Sequence, residues 1–145
     1  MARQLATIGY EGKTLDEFLA ELSEAGVTLL VDVRAVAASR RPGFSKTALA
    51  GALKERAIDY VHLRALGTPK EGREAARKGR IADMHAIYEQ QLQTTEAQLA
   101  LEQADAAARE QYVALLCFEK DAACCHRALI AKRLTEKGGY AVVNL

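Results

Sequence analysis

The chain has 145 residues, 50% of them hydrophobic and 27% charged, which is the composition of an ordinary globular protein. Its formal net charge of +1 argues against a general polyanion binder, and no apolar run approaches the roughly 20 residues that span a bilayer. The N-terminus lacks the apolar stretch of a signal peptide, and three cysteines, two of them adjacent, make a poor disulfide framework. We therefore expect one domain over residues 1–145, cytoplasmic, with reduced thiols and no membrane partner.

The first part of the chain predicts a βαβ unit. Residues 5–10 read as a short strand, and Thr14 opens a T-L-D-E capping box for a helix that stops at Gly26. Residues 27–33 form a continuous run rich in β-branched side chains, which is typical of a strand buried on both faces. A strand, a capped helix and a second strand at this spacing predict a right-handed crossover.

The remainder adds further strands and helices in alternation. A loop over residues 34–44 leads to a helix over 45–57, with Ser45 as its cap, and to a strand over 58–63. Residues 71–80 are polar and Ala-rich, and we expect them to be mobile or loosely helical; helices follow over 82–92 and 95–109. A buried strand from residue 112, a polar turn, a helix through 134 and a short strand over 140–144 complete the chain. This order predicts an α/β fold, a three-layer αβα (Rossmann-like) domain with about five mostly parallel strands.

Most of the side chains suited to chemistry lie at the junction between the strand from residue 112 and the following helix. Ligands of open α/β sheets bind outside the carboxyl ends of strands, and this junction is such an end. The candidates there are Cys117, Glu119, Asp121, Cys124, Cys125, His126 and Arg127. The sequence therefore predicts the place of a site without choosing its reaction.

Two carboxylates, Asp32 and Glu119, stand at the ends of strands that we expect to be close in space. An acidic side chain in a buried strand is costly unless it is paired, so each has a reason to be there. One use is a structural ion pair with Arg34 or Arg127. The other is general acid–base catalysis, or a hard metal ion held between the two carboxylates.

His126 and Arg127 follow in the first turn of the last predicted helix. His126 points toward the sheet, either as a hydrogen-bonded histidine at the edge of the core or as a proton-transfer group above the strand ends. Arg127 stands beside exposed backbone amides, which suits a phosphate or carboxylate, and we expect it at the rim, packing little apolar surface. With Arg34 and Arg40 arriving from the second strand, an anion site is favoured over a plain surface arginine.

The three cysteines differ in their surroundings. Cys125 lies at a helix N-terminus, where the dipole and Arg127 would lower its pKa, so a nucleophile is conceivable. Cys117 reads as a small core hydrophobe and Cys124 as a surface thiol. A phosphatase-like motif is excluded because Ala123 stands where its arginine should be, and the spacing is wrong for structural zinc. The sequence therefore requires no metal or other cofactor.

Basic residues gather in two segments, 34–54 and 64–80, and the first contains no acidic residue. Both segments follow predicted strands, so they should come together at one edge of the sheet. The cluster is either an anion-binding surface or a solvated basic rim.

A series of short motifs occurs in order along the chain. They are T-I-G-Y-E-G at 7–12, V-D-V-R at 31–34, S-R-R-P-G-F-S at 39–45, Y-V-H-L-R-A-L-G-T-P-K at 60–70, L-L-C-F-E-K-D at 115–121 and C-H-R at 125–127. Together they resemble the bacterial and archaeal family called domain of unknown function 488 over essentially the whole chain. Ala37 and Ala122 replace prolines that are usual in that family, and Cys124 is extra. The V-D-V-R strand also resembles that of rhodaneses, at the level of fold alone.

The resemblance implies a set of functional positions in this sequence. The family's motif positions are occupied by Gly9, Tyr10, Asp32, Arg34, Ser39, Arg40, Phe44, Gly67, Glu119, Cys125, His126 and Arg127. The catalytic candidates are Glu119, His126, Asp32 and Cys125. The candidates for anion or substrate binding are Gly9, Tyr10, Arg34, Ser39, Arg40 and Arg127.

Two functions are consistent with these residues. The first is a small hydrolase or glycosidase-like enzyme that cleaves an N-glycosidic or phosphoester bond in a phosphate-bearing nucleotide, nucleoside or nucleic acid. Arginines would hold the anion, Glu119 or Asp32 would be base or nucleophile, and His126 would donate a proton or orient the substrate. The second is a non-catalytic module that binds nucleic acid or a protein partner with the same basic edge. Catalytic groups converging in a concave pocket would favour the enzyme, whereas arginines on an open face would favour the module.

Overall fold

The computed structural model describes residues 3–118 and 126–145. Its strands are β1 (Gln4–Gly9), β2 (Leu29–Asp32), β3 (Asp59–His62), β4 (Val113–Cys117) and β5 (Ala141–Asn144). Its helices are α1 (Leu15–Ala25), α2 (Lys46–Glu55), α3 (Lys70–Arg77), α4 (Ile81–Leu92), α5 (Thr95–Glu110) and α6 (Arg127–Gly138), with one 3-10 turn at Arg64–Leu66. The strands form one sheet in the order β3-β2-β4-β1-β5, and every described pairing is parallel. The predicted α/β class is confirmed.

The sheet separates two apolar clusters, which gives the domain its three layers. Alternate residues of β4 belong to opposite sides: Leu115 packs with α4, α5 and α6, and Leu116 packs with α1 and α2. All five residues of β4 are buried, because this strand lies in the middle of the sheet with helices on both faces. Burial on both faces therefore explains why the sequence of β4 is a continuous apolar run.

The connections run in opposite directions on the two faces of the sheet. The chain passes from β1 to β2 and on to β3 through α1 and α2, and it returns to β4 and crosses to β5 through α3 to α6. At the shared carboxyl edge, the chain therefore leaves β1 and β2 toward the face of α1 and α2, whereas it leaves β4, which lies between them, toward the opposite face, where α6 packs. A crevice opens at such a reversal, and it is where ligands bind in open α/β sheets.

Local signals fix several of the helix ends. Thr14 and Glu17 form both hydrogen bonds of the predicted capping box, and Gly26 closes α1 in the left-handed conformation with φ 83°. Ser45 occupies the N-cap position of α2, but the predicted side-chain cap bond is wrong. Its hydroxyl instead bonds the backbone of Ser39, and so it closes the loop that precedes the helix.

Within the described residues, no helix combines the length and the apolar character needed to cross a bilayer.

Candidate functional site at the carboxyl edge of the sheet

A cavity of about 790 Å³ opens at the carboxyl edge of the sheet. Small-molecule sites in proteins are typically about 300–1,000 Å³, so its size suits a metabolite. One wall is made of residues at the carboxyl ends of the strands or after them, namely Tyr10, Arg34, Ala35, Val36, Ala38, Cys117, Phe118 and His126. The other wall comes from α3, α4 and the segments beside them, namely Thr68, Arg73, Ala76, Arg77, Gly79, Ile81 and Met84.

Asp32 and Arg34 form a buried ion pair at the end of β2. The Arg34 Nη2 and Nε atoms donate to the Asp32 carboxylate at 2.7 and 2.9 Å, and the Arg34 backbone N–H donates to it at 3.1 Å. Burial disfavours the charged guanidinium, but the hydrogen bonds and charge of Asp32 outweigh that cost and raise the pKa of Arg34. The fully buried Asp32 does not line the cavity, and Arg34 does. Asp32 therefore holds Arg34 in place at the cavity wall.

Two side chains of β3 complete the surroundings of this pair. The Tyr60 hydroxyl donates to Asp32 Oδ2 at 2.5 Å, and burial together with this bond raises the pKa of Tyr60. The His62 Nε2 atom donates to the Arg34 backbone carbonyl at 2.7 Å. The Asp32 carboxylate is thus enclosed by donors, which is the arrangement of a structural ion pair more than of a free general base.

Tyr10 follows β1 and lines the cavity, where aromatic neighbours hold its ring. The Tyr10 ring stacks on Phe44, with 4.5 Å between ring centroids, and meets the edge of Phe118 at 5.3 Å. The Arg34 guanidinium lies 5.5 Å from the centre of the Tyr10 ring, and its Nη1 atom donates to the Tyr10 hydroxyl at 3.4 Å. Nη1 also donates to the Phe44 carbonyl at 2.7 Å. These contacts fix both polar groups against the cavity.

His126 lies at the N-cap position of α6 and lines the cavity. Its Nε2 atom lies 2.6 Å from the Val33 carbonyl oxygen, which can only accept, so Nε2 carries the proton. Burial lowers the pKa of His126 to about 4, and the positive charge of Arg127 adds to the effect. The ring is therefore neutral at physiological pH, held edge-on to Tyr88 at 5.1 Å between ring centroids.

Arg127 differs from the expectation drawn from the sequence. Its side chain is fully buried, whereas we expected it at the rim with little packing. The Nη1 atom lies 3.6 Å from the Cys117 sulfur, and the residue does not line the cavity. The expectation failed because α6 packs against neighbouring helices: Tyr88 of α4 meets His126 at its N-cap, and α5 contacts α6. A role for Arg127 in anion binding stays a prediction.

The remaining predicted residues fall into two groups. Gly9, Ser39 and Arg40 do not line the cavity: Gly9 ends β1 beside Cys117, the Ser39 backbone is bonded by Ser45, and Arg40 is exposed. Glu119 and Cys125 lie outside the described residues. Of the predicted set, the structure brings together Tyr10, Arg34 and His126 around one cavity.

Two arginines of the helical wall were not among the predicted site residues. Arg73 and Arg77 belong to the basic segment 64–80, but that segment had no apolar stripe to show which of its residues face inward. The spacing of four residues, which places both on one side of a helix, was the available signal.

A close approach between two loops sets the helical wall against the sheet. A Cβ atom at Gly67 would lie 2.2 Å from the Ala35 Cα atom and 2.4 Å from its nitrogen. Only glycine allows this contact, and Thr68 and α3 follow immediately. The family motif position at Gly67 thus has a geometric reason.

Two chemical expectations can be compared with the structure. Cys117 is disulfide-bonded, which corrects the expectation that all thiols are reduced. Among the described residues, no group of three or more metal-ligating side chains comes together. The independence from metals stays a prediction.

The parallel sheet and the cavity at its carboxyl edge are those of an open α/β protein that binds ligands at its strand ends. Within that class, the chain belongs to the family described as Domain of unknown function DUF488, whose model matches residues 14–134. Neither the curated proteins nor the solved structures contain a match to the chain. The family resemblance seen in the sequence motifs is confirmed.

Proposed function

We propose that this protein is a small enzyme that acts on a phosphate-bearing nucleotide, nucleoside or nucleic-acid substrate at the carboxyl-edge cavity. The observation that carries the proposal is the charge of the cavity wall. Among the residues that the structure describes, the lining holds Arg34, Arg73 and Arg77 and no acidic side chain. A concave site lined by cations attracts anions, and its walls strengthen that attraction by excluding water.

Two groups of the sheet-end wall retain hydrogen-bonding capacity for a ligand. The Nη2 atom of Arg34 has two N–H donors and makes one hydrogen bond, to Asp32, within the described part of the chain. The Tyr10 hydroxyl accepts from Arg34 and has its own proton to donate. Because other contacts hold both groups, the entropic cost of ordering them on binding is low.

The reaction proposed is hydrolysis of an N-glycosidic or phosphoester bond, in which water adds across the bond that breaks. His126 is neutral at pH 7, so we assign it the task of orienting the substrate and not that of a proton donor. Asp32 is enclosed by Arg34 and Tyr60, so we assign it to positioning Arg34. Glu119 is then the candidate base or nucleophile, from its place in the motif after β4.

A second candidate function is a non-catalytic module that binds the same ligands or a partner. One observation favours it: the described acid–base candidates, Asp32 and His126, are each held by structural hydrogen bonds. In that case the cavity would bind a phosphate-bearing ligand without changing it. Under both proposals, the protein needs no cofactor and has no membrane partner.

Turnover assays distinguish the two candidates. The purified protein is incubated with nucleosides, 5′-mononucleotides and short single-stranded oligonucleotides, and released base, nucleoside or phosphate is separated by chromatography. We expect release from one of these classes, and a loss of about 10²–10⁴-fold in Glu119→Gln, the usual range for a general acid or base. Glu136→Gln, at an exposed position of α6, is the matched control and should keep full activity. Ligand binding without turnover would support the module, and absence of binding would reject both.

A further inference from the structure

Helix α3 sorts its charged side chains by face. Arg73, Ala76 and Arg77 line the carboxyl-edge cavity, and their spacing of three and four residues puts them on one side of the helix. Glu71 and Glu74 instead line a separate, shallower hollow with Arg80 and Asp83. The cavity thus meets the cationic side of α3 and is kept away from its carboxylates.

The two cavity-facing arginines differ from other arginines of the protein in their partners. Arg34, Arg80, Arg109 and Arg133 each lie in an ion pair with a carboxylate. Within the described residues, the side chains of Arg73 and Arg77 form no ion pair and no hydrogen bond, and both residues are exposed. Guanidinium groups present planar pairs of donors that match the oxygens of phosphate. The pair is available to an anion that enters the cavity.

The rim of the same cavity carries exposed apolar side chains. The described residues include four large hydrophobic side chains that are exposed, and two of them, Val36 at 54% and Phe118 at 42%, line this cavity. The Phe118 ring packs against the Tyr10 ring at an interplanar angle of 79°, and this contact holds it in position. An aromatic ring fixed at a rim and open to solvent is a stacking surface for a nucleobase.

We propose that the cavity takes a nucleoside monophosphate, with its terminal phosphate on Arg73 and Arg77 and its base against Phe118 and Val36. This inference rests on the proposed function and names its ligand class. Two unpaired guanidinium groups match the charge of a terminal phosphate, which approaches two at neutral pH, better than the single charge of an internal phosphodiester. The ligand is therefore a free mononucleotide and not the interior of a nucleic acid strand.

The test is isothermal calorimetry of the 145-residue chain with four probes: 5′-mononucleotides, the parent nucleosides, sodium phosphate, and a dinucleoside monophosphate whose only phosphate is a diester. We expect the mononucleotide to bind at least tenfold more tightly than the nucleoside and the diester, a difference of about 1.4 kcal/mol or more.

Variants test which residues bind the phosphate of the ligand and which bind its base. Arg73→Ala and Arg77→Ala should each weaken mononucleotide binding at least tenfold and leave nucleoside binding unchanged. Lys78→Ala removes the same charge from an exposed position that does not line the cavity, and it should change the affinity less than threefold. Phe118→Ala should weaken the binding of mononucleotide and nucleoside but not that of phosphate. Leu99→Ala, at another exposed apolar residue, is its control.

The possible results separate this inference from the proposed function. Equal binding of mononucleotides by the wild type, Arg73→Ala and Arg77→Ala would overturn the assignment to α3 while leaving nucleotide turnover intact. A diester that binds as tightly as the mononucleotide would overturn the choice of a terminal phosphate. Binding that follows the expected pattern without any turnover would support the inference and reject the proposed reaction. A wild type that binds none of the probes would overturn both.

Discussion

At the scale of single residues, the buried pair of Asp32 and Arg34 is the group whose disruption should cost most. Replacing Asp32 by asparagine leaves a buried guanidinium without its counter-charge, and breaking such a pair typically costs about 3–5 kcal/mol. We expect Asp32→Asn to lower the free energy of unfolding by this amount in urea titrations. Asp59→Asn, at an exposed position of β3, should stay within about ±0.5 kcal/mol. Equal stability of the two variants would contradict a structural role for the pair.

His126 predicts a stability that depends on pH. Its pKa is lowered by burial from 6.5 to about 4, so between these values the unfolded chain binds a proton that the folded protein does not bind. The stabilisation is therefore fully present above pH 6.5 and is lost as the pH falls toward 4. The full shift corresponds to roughly 3 kcal/mol.

Thermal unfolding followed between pH 7.5 and 4 measures this dependence. His126→Gln keeps an N–H donor for the Val33 carbonyl and removes the titrating ring, so we expect a shallower decline of stability with falling pH. The same slope in the variant and the wild type would show that other groups cause it.

At the candidate site, the sequence indicated the direction and pairing of some side chains but not how deeply each side chain is buried. The helical phase correctly placed His126 toward the sheet. An ion pair of Asp32 with Arg34 was one of the alternatives that the sequence left open, and the structure contains it. The burial of Arg127 could not be predicted in this way, because it depends on how α6 meets its neighbouring helices. Periodicity within one helix carries no information about such packing.

At the scale of elements, the contact between Gly67 and Ala35 sets the helical wall against the sheet. A methyl group at Gly67 would overlap the Ala35 backbone, so Gly67→Ala must displace one of the two loops, at a typical cost of about 1–3 kcal/mol. Gly51→Ala is the matched control. Gly51 lies within α2 with no atom near the added methyl group, so alanine should stabilise the protein by up to about 1 kcal/mol.

Denaturant titration measures the free energy of unfolding of Gly67→Ala and Gly51→Ala. Nucleotide binding by Gly67→Ala reports whether the helical wall of the cavity has moved. A Gly67→Ala protein as stable as the wild type would show that the loops are not held together as described.

Elements with strong local signals were predicted well, and α3 was not. The capping box of α1 and the buried apolar run of β4 depend on residues that are close in the sequence, and the structure contains both. Residues 70–77 lack an apolar stripe, so their helix depends on tertiary contacts. Gly72 and Ala75 are the buried residues of α3, and Gly72 approaches Ile87 of α4. Local propensity could not reveal a helix that another helix supports.

At the scale of the whole molecule, the number and direction of the strands followed from the sequence but their order did not. Alternating strands and helices imply parallel pairing, and continuous apolar runs imply central strands. The position of β4 between β2 and β1 depends on pairings between distant residues, such as Ala6 with Ala114. No local pattern encodes such a pairing.

Strand order predicts the outcome of a truncation. A chain ending at residue 112 lacks both neighbours of β1, since these are β4 and β5. We expect it to give no cooperative thermal transition by circular dichroism, although all residues of α1 to α5 are present. A sharp transition in this fragment would show that its helices can form a core without the middle of the sheet.

The same strand order governs how the protein is made. On the ribosome β1 emerges before the other four strands of the sheet, yet both strands that hydrogen-bond to it are synthesised after α5. Until β4 is synthesised, β1 and β2 cannot be joined in one sheet, because β4 lies between them. Bringing β4 to β1 closes a long loop, and the entropic cost of that closure comes before the strands pair. The five-stranded sheet should therefore be completed only once β4 and β5 have left the exit tunnel. The carboxyl-edge cavity, built from residues that follow β1, β2 and β4, then forms in the same late event that completes the sheet.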